Sequence, residues 1–213
     1  MPPLKKTLVG FQYALLILGF SALGYCAVVV AETTLYQGWA SRQLLKERAE
    51  GLSEPSQPRV PGFDVVLPPS SRMPPSKFSE GSVVGKIEIP RIHLSAMIAQ
   101  GTSHQVLKEA AGHVADTALP GQAGNVALAG HRDTFFRRLG QLKAGDVIKL
   151  TTPGGQYLYR VRFTDIVSPD ETWVLEPSSG QTLTLVTCYP FYFVGAAPQR
   201  FVVRARRLAT LPQ

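Results

Sequence analysis

The chain has only two cysteines in 213 residues. Cys26 lies in an apolar stretch near the N-terminus and Cys188 lies far downstream, so they are not expected to pair. This excludes a disulfide framework and a cysteine metal cluster, and leaves Cys188 to be explained alone. Charge is also sparse, with 17% Asp, Glu, Lys and Arg and a formal net charge of +7. The basic residues are scattered, and neither zinc-finger spacing nor a nucleic-acid-binding signature is present. The excess therefore reads as solubility and attraction to an anionic membrane or wall surface. Acidic clusters are missing too. Asp170 and Glu171 are too few for a calcium site, and neither a metal nor an organic cofactor is expected. There is no internal repeat.

The longest gap in charge runs from residue 7 to residue 31, TLVGFQYALLILGFSALGYCAVVVA. As a helix, about 25 residues at ~1.5 Å each reach ~37 Å. That spans a hydrocarbon core of about 30 Å with some tilt. Val29 and Ala31 before Glu32 would also suit a signal-peptidase site, but the apolar run is much longer than the ~7–15 residues of a signal core. A retained anchor is the expectation. Lys5 and Lys6 before the run favour a cytoplasmic N-terminus, a contrast weakened by Arg42, Lys46 and Arg48 beyond it.

The expected organisation is a short cytoplasmic segment over 1–6, an anchor over 7–31, an extracytoplasmic stalk over 32–82 and a catalytic domain over 83–213. Residues 32–50 could continue the helix. Residues 51–82 hold seven Pro and seven Ser, too few core-forming residues to pack, and read as an extended linker that holds the domain away from the bilayer. From Val83 the pattern changes. VVGKIEI ends at Pro90 as a strand does, AMIAQ follows, and SHQVLKEAAG (103–112) reads as a short helix ended by Gly112. NVALAGH (125–131) is a strand. DVIKLTT and QYLYRVRFTDIV flank the turn PGG as a hairpin. QTLTLVTC (181–188) and RFVVRARRL (200–208) bring the total to about seven or eight strands. Short strands with little helix predict a mainly β domain, a small barrel or sandwich.

Three residues could carry chemistry. Cys188 ends the strand TLVTC, His131 ends another apolar strand in AGHRDTFF, and Arg200 opens the last strand. The thiolate, not the thiol, is the nucleophile. An imidazole can take the thiol proton and later protonate a leaving amine. A guanidinium supplies fixed donors to the oxyanion that acyl transfer creates. Plainer readings stand beside each: a buried structural cysteine, a turn histidine, a surface arginine among Arg204, Arg206 and Arg207. His93, His104 and His113 are alternative imidazoles. Asp133 is a candidate third member of a triad, or a turn cap.

TLVTC (184–188) resembles the TLxTC signature of sortases. AGHRDTFF (129–136) resembles the segment carrying the sortase histidine, and CYPFYFVGAAPQRFVV (188–203) is similar to the loop from the sortase cysteine to its arginine. The upstream GHVADTALPGQAGNVALAGH is also similar, so the resemblance covers about residues 83–208. It implies an eight-stranded β-barrel with one or two short helices, and a cysteine transpeptidase with Cys188 as nucleophile, His131 as acid/base and Arg200 as oxyanion stabiliser. Thr187, Tyr189 and Pro198 are the implied substrate contacts. The implied partners are proteins bearing an LPxTG-like C-terminal sorting signal and an amine of a cell-wall precursor or pilin. The CYPF segment and single anchor look most like class D. Specificity is expected in the loops 166–180 and 189–199. Against this stand a peptidase that transfers only to water and an inactive tethered binding module. An L,D-transpeptidase lacks support, because no SHGC-type signature surrounds Cys188.

Overall fold

The computed structural model describes residues 3–53, 78–193 and 195–208. Helix α1 (Pro3–Ser53) precedes strands β1 (Val83–Ile89) and β2 (Leu94–Gln100), helix α2 (His104–Glu109), and strands β3 (Ala111–His113), β4 (Gly124–Ala129), β5 (Val147–Thr152), β6 (Gly155–Val167), β7 (Gln181–Tyr189) and β8 (Gln199–Arg207). The eight strands close into a barrel in the order β1-β2-β3-β4-β7-β8-β6-β5. The mainly β expectation and the strand number of the resembled family are both met. Most of the linker, residues 54–77, lies outside the described residues.

Alternation in the sequence becomes inside and outside of the barrel. Ile87 and Ile89 of β1, Ala96 and Ile98 of β2, Val126 and Leu128 of β4, Leu183 and Leu185 of β7, and Val203 and Ala205 of β8 share one interior cluster. Their neighbours at odd steps face outward. The β5–β6 hairpin closes through Pro153 and Gly154, as the PGG signal predicts. Ser103 caps α2, its Oγ accepting from the Val106 N–H.

One local expectation is corrected. Gly112 does not end a helix; α2 stops at Glu109, and Ala111–His113 forms β3, paired in parallel with β2 and antiparallel to β4. Pairing on both sides outweighs the glycine's preference for a helix terminus. A side chain at 112 would also collide with the Gly101 carbonyl and Leu107.

Helix α1 continues well past the apolar run, and its extension docks on the barrel. Ala40 and Leu44 are buried against Val83 and Met97, and Tyr36 packs on Ala99, Val106 and Ala110. Gln37 bridges two elements: its Nε2 donates to the Glu109 carbonyl at 2.6 Å and its Oε1 accepts from the Met97 N–H at 2.8 Å. This differs from the expected stalk in one respect. The helix carries the barrel directly against its own flank, within a few residues of the apolar run, so the segment that follows does not set their separation. Phe11–Glu47 contains a window apolar enough to cross a membrane, with none of that window buried in the fold.

Candidate active site

Strand register assembles the predicted residues. In the antiparallel β7–β8 pair, Cys188 lies directly opposite Arg200. Such partners hold their Cβ atoms within about 5.5 Å. Strands β4 and β7 run parallel with Ala129 beside Val186. The pairing persists past the end of β4, where the Gly130 N–H donates to the Val186 carbonyl at 3.1 Å. Continued past β4, this register brings His131 to the same end of the sheet as Cys188. Facing follows from parity. Leu183 and Leu185 point into the barrel, so Thr184, Val186 and Cys188 point out. By the same count Arg200 points out, as do Ala127 and Ala129 of the strand that leads to His131. Cys188 and Arg200 therefore share one outer face, at the end of β7 and β8 where β4 leads into His131.

That face is roofed by the segment after β6. A groove of ≈ 250 Å³ lies between Val167, Val174 and Leu175 above and Ala129, Val186 and Arg200 below. Its lining is mostly apolar, with Arg200 at one end beside Cys188. Cys188 is a free, partly exposed thiol. Arg200 is steadied by its own loop, its Nη1 donating to the carbonyls of Ala197 at 3.2 Å and Gln199 at 3.0 Å.

The roof is tied down by buried polar side chains. Asn125 Nδ2 donates to the carbonyls of Val174 at 2.9 Å and Glu176 at 3.2 Å, and its Oδ1 accepts from Thr184 Oγ1 at 2.7 Å. Arg204 Nη1 donates to the Val174 carbonyl at 2.7 Å and to Thr184 Oγ1 at 3.1 Å. Burial lowers the Arg204 pKa below the usual arginine range. Within the roof, Glu171 accepts from the Ser168 N–H at 2.6 Å.

The expected substrate contacts separate. Thr187 points inward, is 3% exposed, and donates to the Gly130 carbonyl at 2.7 Å. Its hydroxyl clamps β7 to the residue before His131. Tyr189 also turns inward and packs on Phe191 and Phe201 at ring separations of 5.8 and 6.3 Å, closing the end of the barrel. Pro198 remains exposed on the loop before β8.

The other imidazoles are sorted likewise. His113 is buried in β3 with its ring nitrogens 2.9 Å from Gln100 Oε1 and 3.0 Å from the Ala118 carbonyl. Burial lowers its pKa, against the Ala118 carbonyl, which favours the proton. His93 is exposed in a separate cavity. His104, at the start of α2, lies 5.9 Å from the His131 ring. Asp133 is exposed and makes no hydrogen bond to His131 among the described residues.

Two contributors were not singled out from sequence. Arg132 donates to the carbonyls of Pro190 at 3.1 Å and Gly195 at 2.9 Å, lashing the His131 segment to the β7–β8 loop. Its place directly after His131 was a usable signal. Gly130 is the other. A Cβ there would stand 2.7 Å from the ring of Phe136, which is fully buried and cannot yield. Gly130→Ala is therefore expected to displace the backbone that carries His131. We expect a loss of about 1–3 kcal/mol in urea unfolding and, with saturating substrate, a fall in kcat. An unchanged kcat in a destabilised variant would separate the packing at Gly130 from the placement of His131.

Comparisons with known proteins identify the family and the fold. The Sortase domain family matches residues 87–208. The chain is 38% identical over 129 residues to Sortase D of Bacillus subtilis (strain 168), covering 60% of this chain and 65% of that protein. It is 32% identical to Sortase SrtE1 of Streptomyces coelicolor over 54% of this chain and 38% of that protein. The matches thus span less than two thirds of these curated relatives. Among solved structures, the Clostridium perfringens Sortase D5 transpeptidase superposes with a TM-score of 0.57 at 32% identity, over 62% of this chain and 83% of that one. Sortase C-1 from Actinomyces oris superposes with a TM-score of 0.58 at 31% identity, over 78% and 99%.

Proposed function

Because the chain belongs to the sortase family, we propose that it is a membrane-anchored cysteine transpeptidase acting on an LPxTG-like sorting signal. The observation that supports the reading is the pairing of Cys188 with Arg200 across β7–β8, at the end of the sheet where β4 leads into His131. The Cys188 thiolate attacks the carbonyl carbon of the scissile peptide bond, and the carbonyl oxygen takes up the negative charge beside Arg200. The C–N bond then breaks as the His131 imidazolium gives its proton to the leaving amine. This leaves a thioacyl-enzyme. A second amine attacks it, passes its proton to His131, and departs with the acyl group as the thiolate reforms. The mostly apolar groove beside Arg200 suits an aliphatic side chain of the signal. The amine belongs to a cell-wall precursor or a pilin. The apolar part of α1 spans the membrane with its N-terminus cytoplasmic and the barrel outside.

The test is incubation with a library of quenched LPxTG-like peptides and triglycine, read by mass spectrometry. A ligated product supports transpeptidation. Cleavage to free acid alone, across several amines, would instead make the protein a peptidase. No reaction, with a Cys188 inert to a small thiol reagent, would favour a binding module.

Arg200 separates two roles. If it stabilises the oxyanion, Arg200→Lys keeps the charge but loses the fork of donors, and kcat should fall about 10²-fold with KM little changed. A full kcat with a raised KM would make it a substrate-binding residue only.

A further inference from the structure

A second cavity, of ≈ 390 Å³, opens where α1 meets the barrel. Thr33 of α1 lines it from the helix, and His93, Lys108, Arg137 and Arg138 line it from the barrel. No Asp or Glu is among its lining residues. Lys108 is partnered at the rim by Glu32 at 2.9 Å, and that carboxylate raises its pKa. Arg137 and Arg138 are exposed and make no ion pair among the described residues. This concentrates uncompensated positive charge in a concave site.

The position of the cavity indicates what it meets. Thr33 stands two residues beyond Ala31, the end of the uncharged run, or ~3 Å further along the helix axis. With that run in the hydrocarbon, the cavity lies at the level of the lipid headgroups. The Gln37 bonds and the buried Ala40 and Leu44 fix the barrel to the helix, so the cavity is held there and does not swing into the bulk. We propose that this cavity binds the phosphate of an anionic membrane lipid in the leaflet facing the barrel. Two guanidinium groups line the cavity, each able to donate to phosphate oxygens, and Thr33 lines the same site. A choline headgroup would bring its own cation against these arginines and is disfavoured.

The inference rests on α1 spanning the membrane, and the experiment separates the two. Full-length protein is reconstituted into nanodiscs of phosphatidylcholine, with or without phosphatidylglycerol, and its retained lipids are counted by native mass spectrometry. Failure to enter phosphatidylcholine discs would sink the anchor and this site with it. With insertion intact, selective retention of phosphatidylglycerol is expected. It should fall about thirtyfold in the double variant Arg137→Gln/Arg138→Gln, roughly fivefold per arginine. Arg160→Gln/Arg162→Gln, the same charge change outside the cavity, should leave retention as in the wild type. Equal retention of the two lipids overturns the proposal, as does an equal fall in both double variants, which would reduce the effect to net charge. Displacement of phosphatidylglycerol by millimolar inorganic phosphate would reassign the cavity to a soluble anion and also overturn it.

Discussion

Cys188→Ala is expected to abolish turnover, by at least ~10⁴-fold, while leaving the melting temperature and peptide affinity nearly unchanged. The substitution removes one sulfur from a partly exposed position on the outer face and disturbs none of the interior cluster. On the proposed mechanism no thioacyl-enzyme forms without that sulfur, while the groove between Val167, Val174 and Val186 keeps its lining. His131→Ala should fall to a comparable level, because the thiol then lacks its proton partner and the leaving amine its acid. The double variant is the sharper measurement. Two residues acting as one unit give a double variant no slower than the worse single one. An additive double would mean that His131 acts independently of Cys188, and would redirect attention to His104, whose ring lies 5.9 Å away.

The second large effect concerns stability. Asn125→Ala should destabilise the fold by about 3 kcal/mol. Asn125 is 1% exposed and makes three side-chain bonds, two to the roof of the groove and one from Thr184, which is 0% exposed. Alanine leaves the Glu176 carbonyl and the Thr184 hydroxyl without those partners in a site closed to water. The Val174 carbonyl keeps Arg204. Since the roof forms one wall of the groove, KM should rise several-fold more than kcat falls. Urea unfolding and peptide kinetics on the same variant check both. A destabilised variant with unaltered KM would show that the roof does not shape substrate binding.

Much of this architecture was legible because it is periodic. The interior faces of β4, β7 and β8 alternate, β1 does so after the register shift between Val83 and Gly85, and the PGG turn marks its hairpin. Strand β3 was not legible, since three residues carry no period and Gly112 offers a plausible helix stop. Its identity comes from neighbours on both sides. Cys188, His131 and Arg200 were accessible through short motifs at strand ends. Thr187 was singled out by its match to the family motif; that its side chain turns inward, away from Cys188, follows from strand alternation, since successive residues of a strand face opposite ways. The docking of α1 left a trace, with Tyr36, Ala40 and Leu44 four residues apart on one helical stripe. The tie between Asn125, Thr184 and Arg204 left none, because it joins residues 59 and 20 positions apart.

Under the proposed function, the unbroken passage of α1 from apolar run to docking face has a consequence for which proteins can be processed. A domain on a floppy tether samples a wide volume, and its effective concentration at any one height is low. A domain clamped to a helix that spans the bilayer, as proposed for α1, works at one altitude. Tyr36 lies five residues past Ala31, so that altitude is set by less than two helical turns. A chain anchored in the same bilayer is then met often when its signal emerges close to the lipid surface, and seldom when a long spacer lifts the signal away. Distance from the membrane becomes a criterion of selection in its own right, beside the identity of the residues cut.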